Sequence, residues 1–209
     1  SRGCHSDWDL STVYTTLGVL KELDLSYYTS AYAPAELKGV GRATVKAFAV
    51  KSRFVHLEFF RLTKAKEGLG RVGDFVGLEV NMRPAGGYTP DMINFAHATD
   101  VYQIWADMVT ENKRKVPDSQ IHLFCVYASR RDSHSYVHTH EEILARYGDS
   151  IVMCERMPEM MAPQMGNQMY TAKVPSQDAV DEFIHFVLDQ AVAEDTAAEE
   201  TAVKFCLAY

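Results

Sequence analysis

Two stretches of alternating polarity on either side of a glycine-rich turn constrain this chain more than anything else in it. Residues 53–62 read RFVHLEFFRL and residues 73–82 read GDFVGLEVNM, joined by the charged, glycine-containing TKAKEGLGRV. Side chains alternate along a strand, so each stretch has two faces. In the first, Val55, Leu57 and Phe59 form an apolar face, and Phe54, His56, Glu58 and Phe60 point the other way. In the second, Val76, Leu78, Val80 and Met82 form the expected core face, and Phe75, Gly77, Glu79, Asn81 and Arg83 the other. The pattern predicts an antiparallel hairpin with a long loop.

If the hairpin turns near Gly68–Leu69, Glu58 and Glu79 fall opposite one another or nearly so. Facing carboxylates repel across a sheet unless a cation lies between them. With the amide of Asn81 two residues on, the cluster offers hard oxygen ligands, which suit Mg²⁺ held by a few carboxylates, water and phosphate. Gly77, on the same expected face, leaves room for a ligand. Arg83 stands at the strand end before PAGG, and a guanidinium there is shaped to fork onto a phosphate or carboxylate. Parity alone also allows a solvated face whose acids sit in water. Gly68, Gly70 and Gly73 in GLGRVG read as a turn rather than a phosphate cradle, because no helix follows them.

The rest of the chain predicts an α+β protein, with an antiparallel sheet, helices packed on one side of it and a small βαββα subdomain. Residues 11–33 favour paired strands. A helix begins at Pro34 and carries Leu37, Val40, Thr44, Val45 and Phe48 on one stripe. Thr89, Pro90 and Asp91 read as an N-cap and first turn, and the helix that follows resets around Thr99–Asp100. NKRKVPDSQ marks a boundary between a domain over 1–112 and a subdomain over 119–192. The subdomain reads as strand 121–127, helix 141–147, strand 150–157, strand 168–174 and helix 177–191. Thr139 and Glu142 fit a capping box, and Ser176 an N-cap. The Ala- and Glu-rich 193–209 reads as a helix extension or tail.

Composition narrows the function. A net charge of -7, from 21 Lys and Arg against 28 Asp and Glu, supplies no basic field for nucleic acid. No apolar run reaches membrane-spanning length and the first residues show no signal-peptide h-region, so a cytoplasmic protein with no membrane partner is expected. The cysteines at 4, 125, 154 and 206 form no CxxC pair and read as buried or idle thiols in a reducing compartment.

At FVHLEFF and LEVNMRPAGG the sequence resembles the ATP-grasp superfamily, in which a strand bearing a Glu precedes one ending in Glu-x-Asn-x-Arg. Carbamoyl-phosphate-synthase-like and biotin-carboxylase-like ligases are the nearest in pattern. The similar part covers residues 34–110, and 120–190 resembles the family's C-terminal subdomain. The resemblance implies an ATP-dependent ligase that activates a carboxylate as an acyl phosphate for attack by an amine or other nucleophile. It implies that Glu58, Glu79 and Asn81 hold Mg²⁺ (or Mn²⁺) on the phosphates of ATP, and that Arg83 steadies the transferred phosphate. ATP and a small carboxylate are then the partners, and a homodimer is left open. The family's clamping lysines and glycine-rich lid have no equivalent in residues 1–33, and SRGCHSDWDL lacks an initiator Met. The stretch is therefore expected to hold one wall of a site and to be inactive alone.

Other candidates are weaker. His134, His138 and His140 have neither helical i,i+4 spacing nor Cys partners for zinc. They read as a solvated loop in which Arg130 and Arg131 are candidate substrate contacts. His56 shares the parity of Glu58 and reads as a supporting histidine. Six of the nine Met lie in 153–169 and read as flexible packing. The competing hypothesis is a non-catalytic assembly module with a vestigial metal face.

Overall fold

A computed structural model of the chain describes residues 10–14, 24–51, 53–191 and 202–208. An antiparallel sheet of eight strands runs through it: β1 (Leu10–Tyr14), β2 (Leu25–Thr29), β3 (His56–Leu62), β4 (Phe75–Asn81), β5 (Phe124–Arg130), β6 (Ile151–Arg156), β7 (Gln168–Val174) and β8 (Ala202–Ala208). Their order across the sheet is β4-β3-β8-β1-β2-β5-β7-β6. Among the described residues the helices are α1 (Ala35–Ala47), α2 (Thr89–His97), α3 (Val101–Glu111), α4 (His140–Tyr147), the one-turn α5 (Ala162–Met165) and α6 (Gln177–Leu188). The protein is thus α+β, with an antiparallel sheet and packed helices. No helix among the described residues is long and apolar enough to cross a membrane.

Local signals place most elements. Thr89 is the first residue of α2 and Tyr88 the N-cap, one residue earlier than the sequence predicts. Ala98 then turns left-handed, with φ 44°, and the Asp100 side chain accepts from the Gln103 amide to start α3. The Thr139–Glu142 capping box is complete on α4, and Ser176 caps α6. The strand predicted over 121–127 begins three residues later, at Phe124.

Helix α1 begins at Ala35 with Pro34 as its N-cap, one residue later than predicted, and its stripe is narrower than predicted. Leu37 and Gly41 are its buried residues, Val40 and Val45 pack partly, and Phe48 is the exposed C-cap. Gly39 sits on the solvent side of this helix with open space where a Cβ would go. Gly39→Ala is therefore expected to stabilise the fold by roughly 0.5–1 kcal/mol, because it reduces the chain's freedom when unfolded. A shift of the urea midpoint at constant slope would measure it.

Three points differ from expectation, each for a nonlocal reason. Residues 202–208 form no helix or tail: they are β8, paired with β3 along seven residues and with β1 along five. Residues 192–201, in the same expected tail, lie outside the described residues, as do 1–9 and 15–23. The sheet also runs unbroken past the expected boundary, since β2 pairs with β5. Helices cover both faces rather than one. Val126, Ala128, Tyr170 and Ala172 pack with Ile143 of α4 and Phe183 of α6. On the reverse face Tyr27, Tyr127 and Met169 pack with Met92 and Ala96 of α2. β5 is buried through both faces, so its sequence shows an apolar run and no alternation.

His97, at the end of α2, is 2% exposed and has His122 Nδ1 at 3.4 Å from its own Nδ1. Burial first, and His122 second, push its pKa from the ordinary 6.5 down to about 4, against a smaller opposing pull from a Ser30 backbone hydrogen bond. The folded imidazole stays neutral where the unfolded one takes up a proton, so stability falls as pH drops from 6.5 towards 4. Roughly 2 kcal/mol should be lost between pH 7 and 5 through this group. Urea titrations of His97→Gln should show a correspondingly flatter dependence, and an unchanged one would refute this.

Candidate metal and phosphate face

The hairpin of β3 and β4 is closed by its own loop. Leu62 N–H donates to the Asp74 carbonyl at 3.0 Å, Gly73 N–H to Leu62 at 2.8 Å, and Lys66 N–H to Gly70 at 2.9 Å. Gly68, Gly70 and Gly73 all take positive φ here, so the glycine cluster builds the turn.

The register brings Glu58 directly opposite Glu79 and His56 opposite Asn81. Immediately beyond Glu58 the register shifts, and Phe59 faces Gly77 instead of Leu78. This bulge reverses the parity of the first half of β4. Phe75 and Val80 both pack with Leu57 and Phe59 in the core under α1, although one position is odd and the other even. The predicted core face of Val76, Leu78, Val80 and Met82 is accordingly corrected. Leu78 is 51% exposed and Met82 39%, and Gly77 lies on the core side, 3.9 Å from Phe59 at the position of a Cβ. Gly77 therefore makes no room beside the acids. Glu79 and Asn81 stay with Glu58, because they lie on its side of the bulge.

The face is graded in exposure. Glu58 is 8% exposed and His56 6%, with His56 Nε2 3.6 Å from Glu58 Oε1. Asn81 is half-buried and its Nδ2 is enclosed without a hydrogen-bond partner. Rotating the amide by a half-turn would put its carbonyl oxygen there. Glu79 is exposed on the edge strand. Arg83 lies two residues past β4, exposed, with Nη1 donating to the carbonyl of Pro84 at 2.9 Å. The structure thus brings together Glu58, Glu79 and Asn81 and leaves Arg83 beside them on a bend.

Among the described residues no three His, Cys, Asp or Glu side chains converge as a metal cage. Two carboxylates and an amide oxygen nonetheless fit Mg²⁺, which takes few protein ligands and completes its shell with water and phosphate. The enclosed, unpaired end of Asn81 fits the same role.

The three loop histidines go separate ways. His134 Nδ1 lies 3.2 Å from Asp24, His138 stacks on Phe186 with centroids 3.7 Å apart, and His140 Nδ1 lies 2.8 Å from the Tyr170 hydroxyl. Of the six Met in 153–169, Met157 and Met169 are core, whereas Met160 is 92% exposed. Arg131 hydrogen-bonds the carbonyls of Ala162 and Pro163 and so anchors α5. Sequence reasoning missed a cleft of about 550 Å³ lined by Arg130, Asp132, His140, Arg156, Gln168 and Tyr170 among others. Its members come from three strands, the loop after β5 and the start of α4, segments that only the tertiary structure brings together.

The sequence matches no protein-family model and no curated protein.

Proposed function

We propose that the Glu58–Glu79–Asn81 face is the metal and phosphate wall of an ATP-dependent carboxylate ligase of the ATP-grasp kind, resembling carbamoyl-phosphate synthase. The observation that supports it most is the register, which sets two carboxylates opposite one another where a sheet without a cation would avoid them. Bound Mg-ATP would supply the phosphoryl group that converts a substrate carboxylate to an acyl phosphate, which an amine or other nucleophile then attacks. Glu58 and Glu79 would hold the metal from either strand, Asn81 would add its amide oxygen, and Arg83 would leave the Pro84 carbonyl for the transferred phosphate. These fixed charges offset those that develop on the transferring oxygens.

One observation favours a second reading, an assembly module with a vestigial metal face. β4 is an outer edge strand with Leu78, and Met82 just beyond its end, exposed, an edge that another chain or domain could cover. Mn²⁺ binding separates the two. In the presence of ATP the native protein should bind Mn²⁺ saturably by electron paramagnetic resonance. Glu58→Gln should weaken that binding by about ten-fold or more, one decade corresponding to the loss of a charged ligand. Equal binding by the native and Gln proteins would refute the ligase proposal.

A further inference from the structure

We propose that the cleft at the shared end of β5, β6 and β7 binds a small oxyanion, a carboxylate or phosphate group, between Arg130 and Arg156. Gln168 pairs with Arg130 on one side and with Arg156 on the other, so the three side chains form one row across three adjacent strands. At about 4.8 Å between strands, the two arginine backbones stand roughly 10 Å apart, enough for an anion to sit between their side chains. Tyr170 is on the same face two residues along, and His140, first residue of α4, lies 2.8 Å from its hydroxyl. The Arg130, Tyr170, His140 and Arg156 side chains carry donors, as an oxyanion requires, while the Gln168 amide nitrogen donates to the carbonyls of Glu155 and Met169, both at 3.1 Å.

The charge of Arg130 gives the row its purpose. Its side chain is 8% exposed, and its hydrogen bonds go to neutral carbonyls: Nε to Val187 at 2.5 Å and Nη1 to His138 at 2.7 Å. Nη2 is buried with no hydrogen-bond partner, and the guanidinium lies over the Tyr136 ring, 4.3 Å from its centroid. A buried cation hydrogen-bonded only to neutral carbonyls is costly even with the Asp24 carboxylate acting on it, and an anion in the cleft would offset more of that cost. The nearby carboxylate of Asp24 is already engaged by Tyr136, His134 and Gln190.

Arg156 shows how a ligand would dock. Both its Nη atoms donate to the Asp132 carboxylate, at 2.7 and 2.5 Å, with each side chain 59% exposed. Asp132 thus stands where a ligand carboxylate or phosphate would stand, and an exposed pair of this kind is weak enough to exchange. Glu141, in the first turn of α4, opposes the site from the helix side. The cleft is independent of the β3–β4 face. It lies towards the other edge of the sheet, and its row shares the parity of Val126 and Ala128, whereas the register sets Glu58 in one row with Thr29 and Cys125 on the opposite face.

Calorimetric titration of the protein with inorganic phosphate and with succinate, at constant ionic strength, tests the proposal. At least one anion should bind saturably, and which one binds assigns phosphate or carboxylate as the ligand group. Arg156→Gln, at an exposed position that spares the core, should weaken binding about ten-fold or more, and Asp132→Asn should tighten it several-fold by removing the internal competitor. Glu79→Gln should leave the affinity unchanged, so this site and the metal face fail or stand separately. No saturable heat with either anion in the native protein and in Asp132→Asn would overturn the proposal, as would undiminished affinity in Arg156→Gln.

Discussion

Glu79→Gln in the full-length protein is expected to lower Mg-dependent ATP turnover by about 10²–10³-fold, the usual cost of deleting one fixed electrostatic contact to a transition state. Stability should move the other way. Glu79 faces Glu58 across the hairpin, and like charges placed so destabilise a sheet by roughly 0.2–1 kcal/mol. The Gln side chain keeps the size and hydrogen-bonding capacity of Glu79 on an exposed strand, so relief of repulsion is the main effect on the fold. Activity that collapses while the melting temperature holds or rises would mark Glu79 as a residue kept for ligand binding. Activity that survives the substitution would remove the metal role from this face. Glu58→Gln is the harder case, because Glu58 is buried beside His56 and its loss perturbs packing as well as charge.

Gly166→Ala is expected to cost about 3–5 kcal/mol, the largest stability loss predicted here, from two additive sources. Gly166 ends α5 with φ 80° and ψ 174°, a backbone region that is essentially reserved for glycine. A Cβ there would also stand 2.1 Å from Ser129 Oγ, 2.8 Å from Ser129 Cβ and 3.1 Å from the Arg130 carbonyl. Ser129 cannot retreat, being fully buried and donating to the Gln168 carbonyl at 3.2 Å. The flanking loop is pinned as well, by Asn167 N–H on the Arg130 carbonyl at 2.7 Å and by the Tyr127 hydroxyl on Met165 at 2.8 Å. For a chain of this size the melting temperature should fall by roughly 10 °C. Adding Ser129→Gly should return part of that loss, and a fall of only a degree or two would show that the loop gives way.

Much of the framework was legible from short spans. The Thr139–Glu142 box, the Ser176 cap, the break before Asp100 and the β3–β4 hairpin each depend on residues close in sequence, whose preferences act before any distant contact forms. The pairing of Glu58 with Glu79 is not among them: the register of the turn, Lys66 with Gly70 and Phe59 with Gly77, would set Leu78 opposite Glu58, and the bulge brings Glu79 there instead. Beyond such spans legibility fell. The bulge at Leu78 moved Phe75 and Gly77 to the core side and left Leu78 in solvent, because the core that Phe75 and Val80 enter is supplied by α1 and by Leu57 and Phe59. The Arg130 and Arg131 neighbours read alike in sequence, yet strand alternation sends Arg130 to α6 and Arg131 to α5.

The sequence by itself determined that this chain builds an antiparallel hairpin and, to within a residue, where five of its helices start. Only the tertiary structure decided that residues 202–208 enter the sheet between β3 and β1, that helices cover both its faces, and that Arg130, Gln168 and Arg156 align in one row. The physical reason is the range of the contacts. Caps and turns are satisfied by neighbours a few residues away, whereas strand order and cross-sheet rows are settled by backbone hydrogen bonds and burial among segments far apart in the chain.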